Sequence, residues 1–160
     1  ATGLKAIAGN PTLRNLTTLR LGYMGVDRNV GLRPIHFQEF LQKLNLPNLR
    51  YLVLSDLPIG PGAAHLLTEE KFRNLRLLWL SKCKLTDAAT SALLSSPTLQ
   101  NLVQLNLDGN RLKTGVKLLT DRRILPRLSM CLLIDNPIAP DLCRKLARRS
   151  GVIVPSQRAR

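Results

Sequence analysis

Leu102-Val103-Gln104-Leu105-Asn106-Leu107-Asp108-Gly109-Asn110-Arg111-Leu112 is the stretch whose reading decides the fold. Leucines at 102, 105, 107 and 112, with Asn110 between the last two, have the spacing L-x-x-L-x-L-x-x-N-x-L. Side chains two apart on a strand share a face, so Leu105 and Leu107 point one way and Gln104 and Asn106 the other. One short strand cannot bury its leucines alone, so the pattern must recur and its copies must stack. It does recur, at Leu128, Cys131, Leu133, Asn136 and Ile138; at Leu75, Leu78, Leu80, Cys83 and Leu85; at Leu49, Leu52, Leu54, Leu57 and Ile59; and at Leu16, Leu19, Leu21, Met24 and Val26. The starts are 33, 26, 27 and 26 residues apart, and an apolar residue stands three before each: Leu13, Leu46, Phe72, Leu99 and Leu125.

At the Asn position the chain turns out of the strand, and an amide there can satisfy backbone groups that the turn would otherwise leave without partners. On these residues the chain resembles leucine-rich repeat proteins of the ribonuclease-inhibitor-like class, over about residues 4 to 154. The resemblance implies an α/β fold, a curved horseshoe-shaped solenoid of about five repeats plus partial ends. The parallel sheet would be concave and the helices would lie on the convex side. It also implies that Cys can replace Asn at the turn. Asn110, Asn136 and Cys83 fit; Met24 and Leu57 depart, and looser or water-filled turns are expected in the first two repeats. Strands ~4.8 Å apart on one side and helices about 8–10 Å apart on the other account for the curvature.

The register predicts strands at 18–21, 51–54, 77–80, 104–107 and 130–133, with a closing strand at 152–154 and a tail at 155–160. Phe37, Phe40, Leu41 and Leu44 share one face of a helix that starts near Pro34, which leaves His36 on its solvated side. Further helices are expected over 61–67, after an N-cap at Thr86, over 114–119 and over 140–149, with Gly151 as a stop. The extra length of the first repeat falls in Val26 to Pro34, with Asp27, Arg28, Asn29 and Arg33, and reads as a rim loop. Residues 1–13 resemble 89–99, the end of a helix leading into a repeat, so the chain reads as a single domain that begins inside a truncated preceding repeat. Its uncovered end, with Leu4, Ala6, Ile7 and Leu13, is expected to fray or to self-associate.

Composition narrows the function classes. There is no run of about 18 apolar residues to span a membrane and no signal-peptide pattern at the start. Cys83, Cys131 and Cys143 fall where the repeat buries side chains, so they read as core thiols and favour a reducing, cytoplasmic setting. Metal ligation is not implied. Two histidines on separate helices, with no nucleophile elbow, phosphate loop or metal-spaced set, imply no catalytic residues and no cofactor. Asp56, Asp108 and Asp135 follow strands and read as solvated turn residues. The formal net charge is +14. Arg144, Lys145, Arg148 and Arg149 form a basic stripe on the last helix, opposite Leu142, Cys143, Leu146 and Ala147. It suits an acidic protein, nucleic acid or anionic lipid, or simply a soluble cap.

Strand alternation yields a candidate binding surface. Thr18, Tyr51, Leu77, Gln104 and Met130 form one outward column; Arg20, Val53, Trp79, Asn106 and Leu132 form the next. Tyr51, Val53, Leu77 and Trp79 make an apolar block, and exposed blocks of this kind usually mark contacts. A protein-interaction module that binds its partner here is the leading expectation, and the chain is expected not to be an enzyme. Nucleic-acid association through the basic end and regulation or activation of an enzyme remain as alternatives.

Overall fold

The computed structural model describes residues 2–22 and 31–155. The chain forms an α/β fold on one six-stranded parallel sheet. In order, the elements are α1 (Thr2–Ala8), β1 (Thr18–Gly22), α2 (Pro34–Lys43), β2 (Tyr51–Ser55), α3 (Gly60–Leu66), β3 (Leu77–Trp79), α4 (Asp87–Ser95), β4 (Gln104–Asn106), β5 (Met130–Leu132), α5 (Pro140–Leu146) and β6 (Val152–Ile153). Short 3-10 segments precede several strands, and a longer one, Gly115–Thr120, takes the place of a helix between β4 and β5. The strands lie side by side in chain order. The helical segments pack in the same order: α1 on α2, α2 on α3, α3 on α4, then Gly115–Thr120 and α5.

The alternating leucines set the register. Leu19, Leu52, Leu78, Leu105, Cys131 and Val152 form one continuous row across all six strands. All six are buried, in a single core that also takes Phe37, Phe40 and Leu41 from α2. A recurrent hydrogen-bond pattern starts the first four of the five pairings. The Thr17 carbonyl accepts from the N–H groups of Arg50 and Tyr51, that of Arg50 from Arg76 and Leu77, that of Arg76 from Val103 and Gln104, and that of Val103 from Ser129 and Met130.

Polar side chains hold the turns that follow the strands. The Asn110 Oδ1 accepts from the N–H groups of Cys83 (3.0 Å) and Leu85 (3.1 Å). Its Nδ2 donates to the carbonyls of Leu80 and Leu107, each at 2.8 Å. Asn136 repeats the arrangement one turn on, accepting from Leu112 N–H and donating to Leu107 and Leu133 carbonyls. Cys83 takes the same place with a thiol that points at the Leu54 carbonyl, 2.9 Å away, and that also faces the Leu57 backbone N–H. Leu57 is buried in the core at the equivalent place, so an apolar side chain fills that turn. Met24 lies outside the described residues, as do Val26, Asp27, Arg28 and Asn29 of the expected rim loop and Arg158 and Arg160 of the tail.

A second asparagine series was not read from the sequence. Asn48, Asn74 and Asn101 each precede the first leucine of a copy, and each donates to a carbonyl of the copy before: Arg14, Pro47 and Arg73 respectively. The signal was present, since Asn-Leu opens four of the five copies, at 15, 48, 74 and 101.

Four local expectations need correction. The segment expected as a helix over 114–119 is a 3-10 turn, pulled against α4. The Asp87 carboxylate accepts from the N–H groups of Lys113, Thr114 and Gly115, and a Cβ on Gly115 would sit 2.4 Å from the Asp87 carbonyl oxygen. The last helix ends at Leu146 rather than 149. Gly151 is therefore not its stop, since the cap is Ala147; with φ +79° and no room for a Cβ against the Ser129 carbonyl, Gly151 instead turns the chain into β6. His36 is not simply solvated: its Nδ1 accepts from the Arg33 N–H at 3.0 Å, capping α2. Asp108 is half-buried and its carboxylate accepts from the Ile134 N–H at 2.7 Å. Burial raises its pKa against that bond. Asp56 and Asp135 are exposed turn residues, as expected, both in the left-handed region.

Candidate functional site

The helices bury one face of the sheet, and the other face carries the side chains between the core leucines. Strand pairing places the two expected columns in register. Thr18, Tyr51, Leu77, Gln104 and Met130 align, as do Arg20, Val53, Trp79, Asn106 and Leu132. Thr18, Arg20 and Tyr51 are exposed, while Val53, Leu77, Trp79, Gln104, Met130 and Leu132 are half-buried. Half-burial here arises from in-register neighbours ~4.8 Å apart covering one another's flanks.

Two members of this face differ from their reading in the sequence. Asn106 is buried, and its Oδ1 accepts from the Asp108 N–H at 2.8 Å. Strand alternation would point it outward, but β4 ends at Asn106, and the amide folds down to cap the turn. Trp79 is not openly exposed either. Its ring is half-covered and its indole N–H is buried without a partner among the described residues.

One member was missed. Ile153 on β6 pairs with Leu132 and extends the second column, and it is 46% exposed. The closing strand had been expected over 152–154, so carrying the alternation one strand further would have found it. The second column therefore runs from charged Arg20 through Val53 and Trp79 to Leu132 and Ile153, apolar after Arg20 except at Asn106.

The three cysteines are free and buried. Burial pushes Cys83 and Cys131 up to about 12 and raises Cys143 as well, so each is held as a neutral thiol. Among the described residues no group of His, Cys, Asp and Glu could hold a metal ion.

The basic end departs from its expectation. Arg144, Lys145 and Arg148 are exposed, and Arg144 pairs with Asp141. Arg149 is buried, 7% exposed, with its guanidinium donating to the carbonyls of Leu119, Asp121 and Leu125. Ala147, expected in the core, is exposed. Both reversals have one cause. A helical projection carried on to 149 assigns these faces, but the helix stops at Leu146 and the chain turns beneath the preceding 3-10 segment.

No family model matches the chain, and no curated protein matches it. Among solved structures, a protein from Bacteroides fragilis is similar to it, with a TM-score of 0.59 and 20% identity. That likeness covers 88% of this chain and 40% of the other, so the chain spans about two fifths of that protein's length. At this identity the likeness concerns the fold alone.

Proposed function

We propose that this chain is a leucine-rich repeat segment of the ribonuclease-inhibitor-like class, curved into a solenoid, that binds a protein partner through the concave face of its sheet. The observation that carries the reading is the in-register series Tyr51, Val53, Leu77, Trp79, Leu132 and Ile153, apolar or aromatic side chains on a face the helices leave uncovered. None of them is needed to fill the core, and aromatic anchors dominate interface energies because they bury much area with few rotors.

Trp79 adds to this. A buried donor without an acceptor costs about 1–3 kcal/mol. Rotation of the indole toward an oxygen on a partner removes that cost, so the free protein holds it poised for contact. The amide bonds of Asn110 and Asn136, and their imitation by the Cys83 thiol, support the repeat assignment. In this reading the chain is a non-enzymatic module. Its three buried, unpaired thiols support a reducing compartment, the cytoplasm. Among the described residues no helix is long and apolar enough to cross a membrane.

The test starts from a photo-crosslinking residue in place of Tyr51, to capture and identify the partner. Calorimetric titration then compares the parent chain with Trp79→Ala and Tyr51→Ala, alongside thermal melts. Trp79→Ala is expected to weaken binding by about 2 kcal/mol or more while melting close to the parent. Normal binding by both variants, or a loss seen only where the variant has unfolded, removes this face as the site.

A further inference from the structure

The C-terminal end of the fold holds a cavity of about 270 Å³ lined by Thr120, Arg122, Lys145, Arg148 and Arg149. Four of its five lining residues are cationic and none is acidic. None of the four makes an ion pair among the described residues. The nearby carboxylates are already engaged by cations outside the cavity, Asp121 by Arg123 and Asp141 by Arg144. Asp121 also acts on Arg149 electrostatically, but four cations against that one carboxylate leave an excess of positive charge in a single concavity.

The cavity is also built. Arg149 is anchored by three backbone carbonyls, so its charge forms a fixed wall that cannot swing into solvent. Arg122 donates to the Arg148 carbonyl at 3.5 Å, holding its guanidinium at the rim. Lys145 and Arg148 are exposed, and their side-chain nitrogens have no hydrogen-bond or ion-pair partner among the described residues. Burial disfavours the charged form of Arg149, as does the like charge of Arg122, against the opposing pull of Cys131 and Asp121; an anion in the cavity offsets the first two.

We infer that this cavity is a binding site for a phosphate monoester, with Lys145, Arg148 and Arg122 as the donors to its oxygens and Arg149 as the fixed counter-charge. A monoester carries about 1.5 to 2 negative charges and three acceptor oxygens on one phosphorus, which matches several cations around one space. A nucleic-acid backbone distributes single charges along a line and asks for cations along a groove. The cavity also lacks an aromatic side chain on which a base could stack. The site is independent of the sheet face proposed above.

The experiment follows backbone amide resonances of the full chain during titration with inorganic phosphate, then with blocked O-phosphoserine and blocked serine, at constant ionic strength. Saturating shifts centred on Thr120, Arg122, Lys145 and Arg148 are expected with both phosphates and not with serine or chloride. Shifts with inorganic phosphate but not with phosphoserine would define a free-phosphate site and overturn the monoester assignment. The double variant Lys145→Gln/Arg148→Gln should bind roughly tenfold or more weakly, a loss of about 1.4 kcal/mol or more. Arg14→Gln, at the β1 end, should leave binding unchanged. Both altered side chains of the double variant are exposed, so its fold is expected to survive, and an unchanged spectrum away from the cavity checks this. Shifts that follow ionic strength alone, or binding untouched by the double variant, overturn the proposal. So does tighter binding of a short DNA duplex than of phosphoserine at these same residues.

Discussion

Asn110 satisfies buried backbone groups of two successive copies with one amide, which neither a pure donor nor a pure acceptor can do. Its oxygen serves two N–H groups of the preceding copy, and its nitrogen bridges carbonyls of both. Replacement by alanine strands these groups in the interior, at about 1–3 kcal/mol for each that finds no water. Asn110→Ala should therefore lose about 3 kcal/mol or more in urea unfolding. Cys83 indicates an intermediate case, because its thiol donates to the Leu54 carbonyl while burial keeps it protonated. Asn110→Cys retains a donor and forfeits most of the acceptor, so it should cost clearly less than alanine. Equal losses for the two variants would mean that the donor half contributes nothing to the turn. The Asn signal was legible because the amide chemistry follows from residue type. The burial of the Trp79 indole N–H without a partner among the described residues was not, since it depends on which neighbour covers the ring.

Elements were readable where their period was short and hidden where one element ends against another. Strand alternation needs only two residues to declare itself, and all six strands lie where the leucine spacing puts them. Asn106, Ala147 and Arg149 were misplaced because each sits at or beyond the end of an element, where the period no longer governs direction. The 3-10 segment Gly115–Thr120 was misread for a related reason: Asp87, in the first turn of α4, holds its entry from 26 residues away. That contact carries its own pH dependence. Burial works to raise the Asp87 pKa, but the N–H groups of Gly115, Lys113 and Thr114 and the Thr114 hydroxyl outweigh it and hold the carboxyl below its ordinary value of 3.8. An acid with a depressed folded pKa contributes stability above its unfolded pKa and loses that contribution as pH falls through the folded one. Asp87→Asn should accordingly be less stable than the parent by about 1–2 kcal/mol at neutral pH. The difference should shrink as pH drops below 3.8. Urea melts of both proteins between neutrality and strong acid would show it, and a gap that stays constant or widens in acid would assign the stabilisation to something other than the ionised carboxylate.

Across the whole molecule, each strand pairs with its neighbours in chain order and the helical segments pack in the same sequence. Stability in such an arrangement is close to a sum of local terms and nearest-neighbour interfaces, so it need not be uniform along the series. β3 is paired on both sides and its Leu78 is wholly buried. α1 has seven residues, fewer than the roughly 12–15 at which a helix begins to stand alone in water. It packs on α2, with Leu4 and Ile7 only partly covered and Ala6 exposed. Amide exchange should therefore be slowest in β2 to β4, where opening requires separating strands on both sides, and fastest in α1, which can detach by breaking one interface. In a dilute monomer, protection over residues 2–13 as high as that in β3 would contradict this. The same measurement at increasing protein concentration tests the self-association expected of the partly covered leucines. Protection that rises in α1 while β3 stays unchanged places the contact at that end. Protection that rises instead at Tyr51 and Ile153 would mean that copies of the chain meet through the sheet face, in competition with the partner proposed for it.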